Sequence, residues 1–296
     1  MSLLPRVCII GAGSSGIAAC KVFQDHAIPF DCFEKGERIG GNWAFKNNNG
    51  LSSAYRSLHI NTSRRQMVYS DFPMRADFPD FPHHSQVLQY FDDYVAHFGL
   101  KERIAFNCTV ERCELGSDDI WKVTLESGEV RFYDALCVAN GHHWDPRLPE
   151  PPFPGDFLAE TFHSHAYIDP TDPVDCIDKN VVIIGMGNSA LDIACELGHK
   201  GNARNVYLST RRGYYVVPKY LGSDTLDADD PHPSQDPPLL QRLTPAWLAR
   251  WRRLRQIESV IGKPEDYGLP KPDYPLGQTH PTISNEILIR IGSGDV

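Results

Sequence analysis

Several features are missing from this 296-residue chain, and each absence removes a class of function. No apolar run approaches the ~20 residues that a membrane-crossing helix needs, so no membrane span is expected. Excess positive charge is also missing. The formal net charge is −9 and there is no basic run, which argues against a nucleic-acid partner. Met1 to Arg6 is too short to be a signal sequence ahead of the first apolar segment, so a cytoplasmic protein is expected. The eight cysteines include no C-x-x-C pair. Cys8, Cys32, Cys137 and Cys195 lie inside apolar strand or helix patterns and read as buried, reduced thiols. The histidine pairs His83/His84, His142/His143 and His163/His165 have no metal-ligand spacing, so no metal is expected and their roles read as structural.

What is present is a glycine turn that occurs twice. Val7-Cys8-Ile9-Ile10 runs into Gly11-Ala12-Gly13-Ser14-Ser15-Gly16, and Val181-Val182-Ile183-Ile184 into Gly185-Met186-Gly187-Asn188-Ser189-Ala190. Each is G-x-G-x-x-G/A after a buried-strand pattern, the arrangement of a dinucleotide-binding βαβ unit. A bare match at this glycine content would arise by chance about once in seven chains, and the preceding strand lowers that below about one in a hundred. Gly11 allows the tight turn, Gly13 lets a pyrophosphate approach the backbone, and Gly16 lets the helix pack on its strand. Glu34 follows Gly16 by 18 residues, at the end of Phe30-Asp31-Cys32-Phe33. A carboxylate there suits a ribose hydroxyl. After the second turn, Val206-Tyr207-Leu208 ends in Ser209-Thr210-Arg211-Arg212, with no acid. Guanidinium groups suit a 2′-phosphate, which favours NADP over NAD. Two dinucleotide sites suggest a flavoprotein that takes electrons from a nicotinamide, and the missing C-x-x-C weakens the disulfide-reductase version of that idea.

The fold class expected is α/β, with two Rossmann-like three-layer domains. Five prolines within 146–154 mark an extended connector. The spacing predicts a helix near 85–98, strands at 104–110, 121–125 and 130–133, and a buried strand at 135–139. The expected domains are 1–150, a linker over 151–178, and 179–296 with an excursion over 231–281. Within the excursion Thr244 is the expected N-cap of a helix to 261, with Pro245 in its first position and Gly262 just past its end. Leu243, Trp247, Trp251, Leu254, Ile257 and Ile261 form its apolar stripe, beside Arg250, Arg252, Arg253 and Arg255. Packing against its own domain is favoured over a membrane surface.

Further segments resemble the flavin-containing monooxygenases. Glu34-Lys35 with Gly40-Gly41-Asn42-Trp43 is similar to the stretch that lies along FAD in that family. His59-Ile60-Asn61-Thr62, followed by Tyr69-Ser70-Asp71-Phe72-Pro73, resembles its active-site asparagine segment. Gly187-Asn188-Ser189-Ala190-Leu191-Asp192 resembles its NADP fingerprint. Phe157 to Tyr167 resembles the hallmark F-x-G-x-x-x-H-x-x-x-(F/Y/W), with Ala159 where the glycine belongs and His163 expected to orient the linker.

The resemblance implies FAD on the first turn and NADP(H) on the second, with the NADP domain inserted in the FAD domain. It implies that O₂ adds to reduced flavin as a C4a-hydroperoxide, which oxygenates a soft nitrogen or sulfur centre of a small molecule, as N,N-dimethylaniline monooxygenases do. Asn61 would hold the hydrogen bond beside the flavin. In the family the chain returns after the NADP domain to complete the FAD sheet. Here it stops at Val296 before such a segment, and a fragment of a longer protein is the favoured reading. A Baeyer–Villiger ketone monooxygenase and a non-catalytic nucleotide-binding fragment are the alternatives, and a homo-oligomer is compatible with the sequence.

Overall fold

The computed structural model describes residues 4–228, 230, 232, 236 and 244–296. In chain order these form β1 (Val7–Ile10), α1 (Ser14–Asp25), β2 (Phe30–Phe33), α2 (Arg64–Met67), α3 (His84–His97), β3 (Ile104–Ala105), β4 (Val110–Leu115), β5 (Trp121–Leu125), β6 (Val130–Tyr133), β7 (Ala135–Val138), β8 (Asn180–Ile184), α4 (Asn188–Leu197) and β9 (Asn205–Ser209). Four two-residue strands follow: β10 (Val216–Val217), β11 (Tyr220–Leu221), β12 (Asp224–Thr225) and β13 (Thr282–Ile283), with helices at Ala246–Ile261 and Ile287–Ser293.

Contacts divide the chain into two units that do not follow chain order. The first comprises Met1–Ile60, Met74–Phe78 and Pro82–Tyr167; the second comprises Asn61–Pro73, Pro79–Phe81 and Ile168–Val296.

In the first unit β3-β2-β1-β7 form a parallel sheet, with Val7 paired to both Phe30 and Ala135. The apolar run of β1 is explained by strands on both sides and α1 across one face, where Ile17 and Cys20 are buried. On the other face Cys8, Phe33, Val123, Leu125 and Tyr133 make a core with the antiparallel sheet β4-β5-β6. α3 buries Val87, Leu88, Phe91, Tyr94 and Val95, a spacing of one helical face.

Two strand expectations are corrected. Residues 104–110 do not form one strand. Asn107 takes a positive φ of 50°, where its N–H reaches the Gly36 carbonyl, and the chain passes from the parallel sheet to the antiparallel one. Residues 135–138 do form a strand, but it lies at the sheet edge and Val138 is 65% exposed. Cys137 is accordingly only half-buried, whereas Cys8, Cys32 and Cys195 are buried. Residues 139–163 contain no helix or strand.

In the second unit β8 and β9 are parallel, in register from Asn180↔Asn205 to Ile184↔Ser209, and α4 lies between them in sequence. That completes a second βαβ unit. The expected cap at Thr244 is displaced: the helix starts at Ala246 with Pro245 at the N-cap, and ends at Gly262 with φ 66°. Trp247 and Trp251 are exposed, Leu254 and Ile257 half-buried and Ile261 buried, so only the C-terminal half of the stripe is packed. Leu243 lies outside the described residues. Among the described residues no helix is long and apolar enough to cross a membrane.

Candidate functional site: two phosphate turns and an asparagine segment

The first turn is shaped by backbone crowding. Gly11 has φ 97°, and a Cβ there would lie 2.6 Å from the Ala139 carbonyl oxygen. A Cβ on Gly16 would fall 1.9 Å from the Gly11 oxygen, so no side chain fits where α1 crosses the end of β1. Gly13 is the N-cap of α1, with no side-chain cap bond and no acidic residue in the first turn, which holds the exposed Ser15. No acidic side chain of the helix itself occupies that end. Gly41 runs alongside, where a Cβ would reach the Gly13 Cα at 3.2 Å, and the Gly40 N–H donates to the Ala12 carbonyl at 3.1 Å. Two glycine backbones thus line the cradle, and a pyrophosphate fits it.

Glu34 is buried, and both of its oxygens hold backbone: Oε2 accepts from the Ala12 N–H and Oε1 from the Gly36 N–H, each at 2.7 Å. Each oxygen keeps a second lone pair that a ribose hydroxyl can use. Lys35 beside it is exposed. Asn42 locks its loop, with Oδ1 accepting from the Ser53 N–H and hydroxyl at 2.9 Å, and it places the half-buried Trp43 in the turn Gly41–Trp43.

The second turn is looser. Gly185 has φ 134°, and its Cβ would meet that of Ala190 at 3.9 Å, an ordinary contact. That explains why alanine is accepted here but not at Gly16. Gly187 is the N-cap of α4 with no side-chain cap bond, and a Cβ on it would meet nothing within 4 Å. Asn188 and Ser189 open α4, exposed, and the half-buried Asp192 follows one turn later. β13 secures the turn, because the Ile283 N–H donates to Asn188 Oδ1 at 2.9 Å and the Thr282 hydroxyl to the Met186 carbonyl at 2.7 Å. Thr282 stands 96 residues from Met186, with no local pattern in the sequence to announce it.

The two arginines separate. The Arg212 guanidinium lies over the rings of Tyr214 and Tyr274 at 5.4 and 5.2 Å, where cation–π attraction holds it. Arg211 is exposed and makes no hydrogen bond or ion pair among the described residues, leaving its fork available to an anion.

Asn61 belongs by contacts to the second unit, together with the exposed Thr62. Its Oδ1 is buried without a hydrogen-bond partner among the described residues. An orphaned buried acceptor costs about 1–3 kcal/mol, and a donor from water or from a bound group would relieve it.

In the first unit, His163 Nδ1 accepts the His165 N–H at 3.0 Å and caps the turn Ser164–Ala166. Tyr167 is fully buried, edge-on to Tyr55 at 6.1 Å. His83 caps α3 in the same way through Ser85. Next to it His84 is buried, its ring 4.0 Å from that of His83 and 4.9 Å from Phe45. Burial, and secondarily His83, pushes its pKa down to about 4. The folded protein then binds fewer protons here than the unfolded chain, in which a histidine titrates near 6.5. Stability is full above about pH 6.5 and falls by up to about 3 kcal/mol as pH drops towards 4. His84→Gln should flatten that decline in urea melts at pH 7.5 and 5; an unaltered slope would exclude His84 as its source.

A family profile described as Flavin-binding monooxygenase-like matches residues 5–296. Flavin-containing monooxygenase 5 of Rattus norvegicus is 35% identical over 300 residues, which cover 98% of this chain and 55% of that protein. Dimethylaniline monooxygenase (N-oxide-forming) 2 of Oryctolagus cuniculus is 35% identical over 302 residues, with the same coverage. The chain thus spans about half the length of the curated relatives it matches. Among solved structures, S-allyl-L-cysteine S-oxygenase from Allium sativum superposes with TM-score 0.61 at 26% identity, covering 79% of this chain and 55% of that one. An open structure of cyclohexanone monooxygenase shares the fold, with TM-score 0.58 at 22% identity over 73% of this chain and 41% of that one. With two glycine turns each opening a helix, and a profile match across nearly its whole length, this chain belongs to the flavin-binding monooxygenase-like family.

Proposed function

We propose that the chain is the FAD- and NADP-binding part of a monooxygenase that oxygenates a soft nitrogen or sulfur centre of a small molecule. Membership of the family implies FAD and NADP(H) as the cofactors. The observation that carries the reading is a pair of helix N-termini with glycine N-caps, at Gly13 and Gly187, in two separate βαβ units of one chain. In this reading residues 1–150 supply the FAD domain, 151–178 the linker and 179–296 an inserted NADP domain.

The first cradle holds the FAD pyrophosphate on the α1 amides, with Glu34 accepting from a ribose hydroxyl and Lys35, Asn42 and Trp43 along the cofactor. Gly185, Gly187, Asn188, Ser189, Ala190 and Asp192 form the NADP(H) turn, and Arg211 receives the 2′-phosphate while Arg212 stays over its tyrosine rings. Asn61 donates or accepts a hydrogen bond beside the flavin, and Thr62 lies next to it. When bound, the flavin would supply acceptance of a hydride from NADPH and activation of O₂. One oxygen atom then passes to the substrate and the other leaves as water. The names of the relatives, which include N-oxide-forming and S-oxygenase enzymes, support the choice of nitrogen or sulfur over ketones.

The purified chain is expected to carry a flavin absorbance spectrum, and to oxidise NADPH with product formed from an amine or thioether. A colourless protein that retains NADP would sink the reading for this chain, and turnover of a cyclic ketone alone would replace it with Baeyer–Villiger chemistry. Arg211→Ala should raise the KM for NADPH by about 10- to 100-fold and leave that for NADH nearly unchanged, a lost charge-assisted pair of about 1.5–3 kcal/mol. An equal loss for both nucleotides would take Arg211 off the 2′-phosphate.

A further inference from the structure

We infer that Asp227 is a positioning residue for Asn61, and that the stretch just after β12 which carries it holds the asparagine segment in place. The inference rests on the reading that Asn61 acts beside the flavin. Its basis is a set of hydrogen bonds inside the second unit. Asp227 Oδ2 accepts the Ser63 N–H at 2.8 Å, across 164 residues of sequence. Ser63 is 2% exposed and occupies the N-cap of α2, yet its side chain makes no cap bond there. The Asp227 carboxylate instead takes the N–H of the N-cap residue itself, and the Asp80 carbonyl takes the Arg64 N–H at 2.7 Å. Gln66, in α2, donates to the carbonyls of Asp227 and Asp230. His232 Nε2 lies 2.9 Å from the Val68 carbonyl.

The clamp is itself anchored. Arg253, on the helix Ala246–Ile261, donates to the Leu226 carbonyl. The Leu226 N–H donates to the Lys219 carbonyl at 2.7 Å, closing the base of the β11–β12 hairpin. A continuous path therefore runs from Arg253 through Leu226 and Asp227 to Ser63, two residues from Asn61.

A four-residue helix has almost no stability of its own, so its register depends on what holds its ends. The other oxygen of Asp227, Oδ1, is buried without a partner among the described residues. Leaving that one oxygen buried and unpaired is costly for stability alone. It is intelligible if the orientation of the residues just before Ser63 matters.

Amide exchange on the flavin-free chain tests the tether directly. The Ser63 amide should be protected in the unaltered chain, and Asp227→Ala should speed its exchange by about tenfold or more. In the flavin-loaded chain Asp227→Ala should shift NADPH oxidation from product towards hydrogen peroxide several-fold, with the rate of flavin reduction unchanged. Asp227→Asn keeps an acceptor oxygen and should restore most of the coupling. Fast exchange of the Ser63 amide in the unaltered chain overturns the inference without any variant, which covers failure of Asp227→Ala to fold. So does faster exchange in Asp227→Ala with wild-type coupling, since the contact is then structural only. If Asn61→Ala also leaves coupling intact, the reading of Asn61 itself has failed, and the inference with it.

Discussion

Gly16→Ala is expected to unfold the first unit or to lower its melting temperature by roughly 10 °C, a cost of the order of 3 kcal/mol or more. The added Cβ would sit 1.9 Å from the Gly11 carbonyl oxygen, and the obstacle is backbone, which has no rotamer to change. Relief requires α1 to move off β1, and that opens the contacts of Ile17 and Cys20. The informative comparison is Gly187→Ala. Gly187 has an ordinary φ of −77°, and its Cβ would meet no protein atom within 4 Å. That substitution should cost under about 1 kcal/mol of stability yet weaken NADP(H) binding by at least about tenfold, because in the proposed reading the methyl stands where the pyrophosphate approaches the backbone. Thermal melts and nucleotide titrations of the two variants separate a glycine required by the fold from one required by a ligand. Equal stability of the two would contradict the crowding at Gly16.

Asn61→Ala is expected to give the opposite pattern, with stability kept and chemistry lost. Oδ1 is already buried without a partner among the described residues, so deleting it removes a desolvated group and breaks no described bond. The melting temperature should stay within a few degrees, since a change of about 1 kcal/mol moves it roughly 2–4 °C. NADPH should still be consumed, but most of the O₂ should leave as hydrogen peroxide while oxygenated product falls by about tenfold or more, of the order of the loss from one preorganised hydrogen bond. The measurement is the ratio of peroxide to product per NADPH. An unchanged ratio removes Asn61 from the mechanism.

Much of this was readable in local sequence because the features are themselves local. A glycine turn between an apolar strand and a helix is set by sterics over ten residues, so β1-α1-β2 and β8-α4-β9 follow from pattern alone. Strand ends were less legible. Asn107 breaks the 104–110 stretch because its N–H finds the Gly36 carbonyl, a partner 71 positions earlier that no periodicity marks. The exposure of Val138 depends on which strands neighbour β7, which is a property of sheet order.

The sequence by itself determined the family, the two glycine turns and the difference between an acid after one and arginines after the other. Those depend on residue type at fixed spacing. Only the tertiary structure decided that Arg212 is committed to two tyrosine rings while Arg211 stays open, and that Gly16 tolerates no methyl where Ala190 does. It alone tied the Asn61 segment to Asp227. The Tyr274 and Asp227 contacts join groups far apart in the chain, and the clearance at Gly16 depends on where α1 lies against β1, so their free energies depend on distances that folding sets.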